Sequence, residues 1–186
     1  MANEYRDVIT AFYIAYKEDE EWIRYHTDWD AVMSSMDTMD NLHEGWIFLT
    51  QTTVQLLNCL TLDKLIVFFN DYIIAKQDKR FFLGFTSVRG KDWLRHEMVP
   101  LKLREEAVAK LNELRNTLPI FQKDWETHGR MLYGLDQLVA VLSDAEYTQE
   151  QKKDLSHRAQ NFFETLTRVR KKDYFERFPH IKESVA

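Results

Sequence analysis

The chain has 186 residues, 45% of them hydrophobic and 30% charged, with a formal net charge of −5. Its 12 Phe, 8 Tyr and 5 Trp exclude a wholly disordered chain, and five Gly and three Pro are too few turn residues for an all-β fold. The single Cys excludes an intrachain disulfide and a cysteine-rich zinc site. This composition predicts one helical domain spanning residues 1–186.

The amino-terminal third is acidic and predicts two helices. The opening residues lack the basic-then-apolar pattern of a signal peptide, which favours a cytoplasmic protein. A first helix is expected from about Glu4 to about His26, and a second after Thr27 with a Met-rich apolar face. The buried stripe of the first helix is expected to contain Tyr5, Val8, Ile9, Phe12 and Tyr16.

Residues 42–75 form the most apolar part of the chain and predict a central helical hairpin. Apolar residues recur there at three- and four-residue steps, and Asn41 and Glu44 stand at capping-box spacing. A break after Leu60 makes Thr61 the expected N-cap of the second helix. Charged and amide residues interrupt the apolar run, so no membrane contact is expected. The lone Cys59 is expected to be a buried hydrophobe.

A basic segment at about 76–100 is expected to be irregular, because Gly84 and Gly90 interrupt any helix. It predicts a short helix or two extended pieces pinned to the core by three Phe side chains. A short helix from Lys91 should end before Pro100.

Three long helices are expected in the remainder of the chain. They cover about 101–117, the stretch from Pro119 to Leu142, and the stretch after the capping-box pair Thr148 and Gln151. A carboxy-terminal tail at about 174–186 should dock partly on these helices. The predicted fold is therefore all-α, an irregular bundle of about seven or eight helices around the 42–75 hairpin.

Charge is distributed unevenly along the chain and defines two candidate binding surfaces. Residues 1–50 hold 3 Lys/Arg and 11 Asp/Glu, whereas residues 76–104 hold 8 and 3. Cations interleaved with aromatic rings are suited to phosphates and unpaired bases, so the second segment is a candidate single-stranded nucleic-acid site. The members of this basic-aromatic patch are Lys76, Lys79, Arg80, Phe81, Phe82, Phe85, Arg89, Lys91, Trp93 and Arg95.

The same patch is open to two other interpretations. Its aromatic rings would belong to the core if its cations face solvent or pair with the acidic third of the chain. It would also suit an acidic protein partner. The candidate acidic face, in turn, is expected on the solvent side of the first helix and consists of Glu18, Asp19, Glu20 and Glu21.

Motifs for catalysis, metal binding and nucleotide binding are missing from the sequence, so no catalytic residue, cofactor or metal ligand is assigned. Four His follow an Asp by three or four residues, a spacing that places both groups on one helix face. With six His and 30 acidic residues such pairs arise readily by chance. The pairs are Asp40 with His43, Asp92 with His96, Asp124 with His128, and Asp154 with His157.

The missing motifs, abundant aromatics and segregated charge predict a non-enzymatic binding protein. It would be an adaptor, inhibitor or regulatory subunit that acts on a protein partner. One alternative is a nucleic-acid-associated accessory factor that uses residues 76–104. Another is a metal-dependent helical-bundle enzyme in which the Asp–His pairs converge. Self-association is left open, because the regular Phe121–Leu142 spacing suits an interface within the chain or between two copies.

Overall fold

A computed structural model describes residues 8–42 and 46–185, including side chains from Tyr13 onwards. Three strands and eight helices lie within these ranges. The strands are β1 (Val8–Tyr13), β2 (Trp46–Val54) and β3 (Phe81–Ser87). The helices are α1 (Lys17–Ile23), α2 (Trp29–Asp40), α3 (Leu62–Lys76), α4 (Leu101–Thr117), α5 (His128–Leu142), α6 (Gln149–Arg170), α7 (Tyr174–Arg177) and α8 (His180–Val185). Short 3₁₀ turns occur at Asp92–Leu94, His96–Met98 and Pro119–Phe121.

The three strands form one parallel sheet in the order β1-β2-β3. Parallel neighbours need crossover connections, which α1 and α2 supply between β1 and β2, and α3 supplies between β2 and β3. The all-α prediction is therefore wrong in part, because the protein is mostly helical but contains a small parallel sheet. No helix in the described ranges is long and apolar enough to cross a membrane.

The first half of the predicted 42–75 hairpin is a strand and not a helix. Alternate residues of β2 are buried, a period of two that belongs to a pleated strand, and its run of Thr and Val favours extended backbone. The second half is confirmed, since α3 begins directly after Thr61. His43 and Glu44 lie outside the described residues, and so does the predicted capping box of Asn41 with Glu44.

Two other helix predictions are wrong at their amino-terminal ends. Residues 8–13 form β1, and helix begins only at Lys17. The helix expected from Pro119 is a 3₁₀ turn followed by α5 from His128, although Phe121 and Trp125 are buried as expected. Helices α4 and α6 are confirmed, and α6 carries the predicted capping box of Thr148 and Gln151. The segment before Pro100 contains β3 and two 3₁₀ turns.

The core lies between one side of the sheet and the surrounding helices. Phe48 packs against Phe81 with a tilted ring, 5.0 Å between ring centroids, and Tyr72 of α3 meets Phe81 edge-on at 5.6 Å. Cys59 is fully buried, as predicted, and burial raises the pKa of its thiol to about 12, so the group stays protonated at neutral pH.

Helix α5 runs along the free edge of β3, which removes one exposed row of backbone groups. Gly134 makes this approach close: a Cβ on it would overlap the carbonyl oxygen of Leu83. The residue therefore has to be glycine for steric reasons, and its position on α5 fixes the distance between helix and sheet.

The carboxy-terminal segment docks on α1 and on the end of β2. Tyr174 is buried, and its hydroxyl donates to the Trp22 carbonyl at 2.8 Å. Phe178 also meets Trp22 edge-on. His180 is buried, with its Nε2 2.6 Å from the Leu56 carbonyl oxygen just beyond β2.

Candidate binding groove on the open sheet face

The two faces of the sheet differ in how completely they are covered. The covered sheet face is buried and consists of Phe48, Thr50, Thr52 and Val54 of β2 and Phe81, Leu83 and Phe85 of β3. The open sheet face consists of Ile47, Leu49, Gln51 and Thr53 of β2 and Phe82, Gly84 and Thr86 of β3. The β2 side chains of the open sheet face remain partly exposed among the described residues. Parallel sheets normally have both faces covered, so this exposure is unusual.

Gly84 shapes the floor of the open sheet face. A Cβ at this position would lie 2.9 Å from Leu49 Cδ1 and 3.1 Å from the Thr50 carbonyl oxygen. The missing side chain lets Leu49 and Gln51 lean across β3 and leaves a depression in the sheet surface. The glycine that interrupts the predicted helix thus has a packing role in a strand.

Helix α5 forms one wall of this depression. Arg130, Tyr133 and Gln137 lie on one side of the helix because they are three and four residues apart. The Arg130 guanidinium stands 4.7 Å above the ring centroid of Phe82, and the Gln137 amide donates to the Tyr133 hydroxyl at 2.9 Å. Tyr133 is 65% exposed, so its ring is available to another molecule.

Floor and wall together enclose a groove of about 660 Å³. It continues towards the amino ends of the strands into a second compartment of about 630 Å³, and the two share Ile47, Phe82, Gly129 and Arg130. The far end is closed by the ion pair between Lys79 and Glu126, whose atoms are 2.5 Å apart. Volumes of this size are typical of ligand and side-chain binding sites.

Arg130 gives the groove its charge. Within the described ranges its guanidinium lies over the Phe82 ring and forms no ion pair or hydrogen bond. An apolar floor beside an exposed cation suits an apolar group that carries negative charge.

The predicted basic-aromatic patch is largely packed into the protein. Phe81, Phe82 and Phe85 are buried on β3, so their rings are not exposed for stacking on bases. Phe82 and Phe85 border the groove, but both side chains are buried. Trp93 is half-buried under the Lys91 ammonium, 5.0 Å from its ring centroid.

Most cations of that patch have acidic partners. Lys76 pairs with Asp37 at 3.0 Å, and that contact raises the pKa of the lysine. Arg80 binds Asp78, and although burial opposes the effect, hydrogen bonds from Arg80 hold the pKa of Asp78 below its usual range. Lys79 and Arg95 pair with Glu126 and Glu97, respectively, whereas Arg89 and Lys91 are exposed.

The carboxy-terminal segment covers part of the predicted acidic face. Asp19 and Glu20 are buried, contrary to the expected solvent exposure, while Glu18 and Glu21 are exposed. Asp19 accepts hydrogen bonds from Thr61 and from Arg177, and Glu20 accepts one from the Ala15 amide at 2.5 Å. Burial raises the pKa of Glu20 despite the nearby Arg24. The hydrogen bonds of Asp19 and Glu20 therefore stabilise the position of α1.

The predicted Asp–His pairs do not form ion pairs in the described part of the chain. His43 lies outside the described residues, His128 contacts the Trp125 carbonyl, and Asp154 pairs with Arg158. His96 lies instead between Glu97 and Asp144, a cluster that the sequence spacing did not indicate.

Comparisons with known proteins return no match: no family model, no curated protein and no solved structure.

Sequence reasoning missed the groove because its members come from three separate elements. The spacing predicts a helix for Ile47 and Leu49, although the β-branched and aromatic residues between Trp46 and Val54 also fit a strand. The i, i+3, i+7 spacing of Arg130, Tyr133 and Gln137 was visible in the sequence as a polar helix face. Their shared position became apparent only from the sheet.

Proposed function

We propose that this protein is a non-enzymatic binding protein, an adaptor, inhibitor or regulatory subunit, whose protein partner covers the open sheet face. The observation that carries the proposal is a parallel sheet with an apolar second face left partly exposed at Ile47 and Leu49. Such faces in other proteins are covered by helices or by another chain. The partner would supply that missing layer.

The groove has the composition of an interface centre. Tyr133 offers a large, rigid ring with a polar tip, the kind of side chain that dominates binding energies at interfaces. Full burial of one Ile or Leu side chain contributes about 1.5–3 kcal/mol, and the half-buried Ile47 and Leu49 would contribute part of that. Arg130 would orient the partner by its charge.

The lining also favours binding over catalysis. The main compartment is bordered by aliphatic and aromatic side chains, two glycines, two amides and a hydroxyl-bearing Thr, with Arg130 as its charged member. Acid–base chemistry needs a proton donor and acceptor poised over one reacting atom. The alternative of a nucleic-acid accessory factor stays untested, and the burial of Phe81 and Phe85 weakens the reason for it.

Site-specific photo-crosslinking in cells of the native host tests the proposal. A photoreactive phenylalanine analogue replaces Tyr133 in one variant and Val169 in the other. These side chains are 65% and 69% exposed, so accessibility is matched, and Val169 lies on α6, away from the groove. We expect a discrete protein adduct from position 133 and none, or a different set, from position 169.

A second variant shows whether the adduct depends on the groove. Leu49→Asp in the chain labelled at position 133 places a carboxylate on the groove floor and should abolish the adduct while circular dichroism stays unchanged. The proposal is wrong if positions 133 and 169 give the same adducts, or if the Leu49→Asp chain keeps its adduct at full yield.

A further inference from the structure

A second cluster lies away from the groove, where the turn before α4 meets the end of α5. His96 is 0% exposed, and Glu97 beside it is also buried. The Nδ1 atom of His96 lies 3.2 Å from Glu97 Oε2, and the Nε2 atom of His96 lies 3.6 Å from Asp144 Oδ2. Asp144 follows α5 and has more than half of its side chain exposed. The cluster thus runs from the protein interior to the surface.

The imidazole of His96 is poorly satisfied within the described residues. Neither ring nitrogen makes a hydrogen bond of ordinary length and angle, although both carboxylates and the Val141 carbonyl approach the ring. Buried polar groups are almost always hydrogen-bonded, because leaving water without a new partner costs free energy.

The spacing of the oxygen and nitrogen atoms fits a metal ion. One ligand atom from each of His96, Glu97 and Asp144 falls within 4.8 Å of the others. A tetrahedral zinc ion with bonds of about 2.1 Å places its ligand atoms about 3.4 Å apart. The Nδ1 atom lies 3.2 Å from Glu97 and the Nε2 atom lies 3.6 Å from Asp144, so an ion bound to one ring nitrogen would draw the carboxylate at the other nitrogen towards it. One ring nitrogen would coordinate, and the exposed side of Asp144 leaves room for water.

Two arginines determine how strong such a site would be. Arg95 pairs with Glu97 through its guanidinium, which orients the carboxylate as outer partners of metal ligands do. Arg104 is fully buried and donates to the carbonyls of Leu142 and Asp144, so it caps the end of α5. Both positive charges oppose a cation, so we expect weaker binding than at closed four-ligand zinc sites.

We propose that His96, Glu97 and Asp144 bind one divalent transition-metal ion of the zinc type, which ties the end of α5 to the turn before α4. A nitrogen ligand beside two carboxylates favours zinc over magnesium or calcium, which prefer oxygen ligands alone. This site is independent of the groove and of its protein partner. The ion would enter from the side of Asp144.

The test uses the full chain, stripped with a chelator and titrated at neutral pH with Zn²⁺ alone. Calorimetry should show one saturable site, and the melting temperature should rise with Zn²⁺ concentration. Co²⁺ in place of Zn²⁺ should produce visible absorption typical of low coordination number. Mg²⁺ at the same concentration should leave the melting temperature unchanged.

Two variants locate the ion, and a third serves as control. Asp144→Asn changes an exposed side chain, should fold normally, and should weaken Zn²⁺ binding by about tenfold or more. His96→Gln should abolish the cobalt absorption. His157→Gln removes an exposed His on α6 and should leave binding unchanged. No saturable Zn²⁺ binding by the wild-type chain, or equal loss in His157→Gln and Asp144→Asn, overturns the proposal.

Discussion

The two faces of the sheet are formed by the same strands but differ in burial. On the covered sheet face, Phe48 and Phe81 are fully buried against each other, and the hydroxyls of Thr50 and Thr52 donate to backbone carbonyls. On the open sheet face, Ile47 and Leu49 are apolar as well, yet they remain partly exposed. Successive strand residues point to opposite sides, so one register produces both surfaces. Apolar sequence alone therefore does not distinguish a buried sheet face from a partly exposed one.

The largest expected effect comes from truncating neighbouring residues on the two faces. Phe48→Ala should lower the free energy of unfolding by about 3–5 kcal/mol, because it opens a cavity in a fully buried site. Leu49→Ala, one residue away, should cost less, about 1–2 kcal/mol, since that side chain is only partly buried. Urea denaturation followed by circular dichroism measures both.

Similar losses of unfolding free energy in Phe48→Ala and Leu49→Ala would contradict the expected difference between the two sheet faces. That result would mean that the open sheet face is covered in solution, and sedimentation over a concentration series would show whether a second copy covers it.

An intermediate effect is expected where α5 approaches the edge of β3. Gly134→Ala should destabilise the fold by about 1–3 kcal/mol, because the new methyl group overlaps the Leu83 carbonyl and pushes the helix outwards. Gly129→Ala, in the same helix, has open space around the new methyl and should stabilise by up to about 1 kcal/mol. Thermal unfolding distinguishes a loss from a gain.

The two glycine variants also test the groove on the open sheet face, because α5 forms one wall of that groove. If Gly134→Ala proves neutral, the helix is free to move away from β3, and the groove does not have a fixed width.

The smallest effect concerns pH at the carboxyl end of β2. Burial lowers the pKa of His180, against its hydrogen bond to the Leu56 carbonyl and the nearby Asp19 and Glu183. In the unfolded chain the imidazole has a pKa of about 6.5. Below that pH the unfolded state therefore binds more protons at this group than the folded state does. Stability should therefore decrease as the pH falls through about 6.5 and gain nothing from this group above it.

Urea denaturation between about pH 5 and pH 7 measures the slope, and His180→Gln should reduce it. An unchanged slope in that variant would show that His180 is not the buried group responsible.

The sequence predicted the elements that are determined locally. Helices α4 and α6 have apolar residues at helical spacing, and the capping box at Thr148 forms at the start of α6 as expected. The strands were missed because β2 and β3 pair residues more than 30 positions apart, such as Phe48 with Phe81. A short apolar run carries little local information on whether it becomes a strand or a buried helix.

The candidate site was predictable only in part for the same reason. Phe82 was singled out by composition, but its neighbours Leu49 and Arg130 lie on other elements and enter the groove through tertiary packing. The buried position of Asp19 also depends on Arg177, 158 residues away, so no local pattern could indicate it.

The docked carboxy-terminal segment has a consequence for synthesis of the chain on the ribosome. Trp22 and Asp19 bind Tyr174 and Arg177, which are synthesised 152 and 158 residues later, so α1 lacks these contacts for most of that interval. Contacts this distant in sequence slow folding, and apolar surface left uncovered in the meantime attracts chaperones or other chains. The aromatic contact at Trp22 therefore forms late during translation.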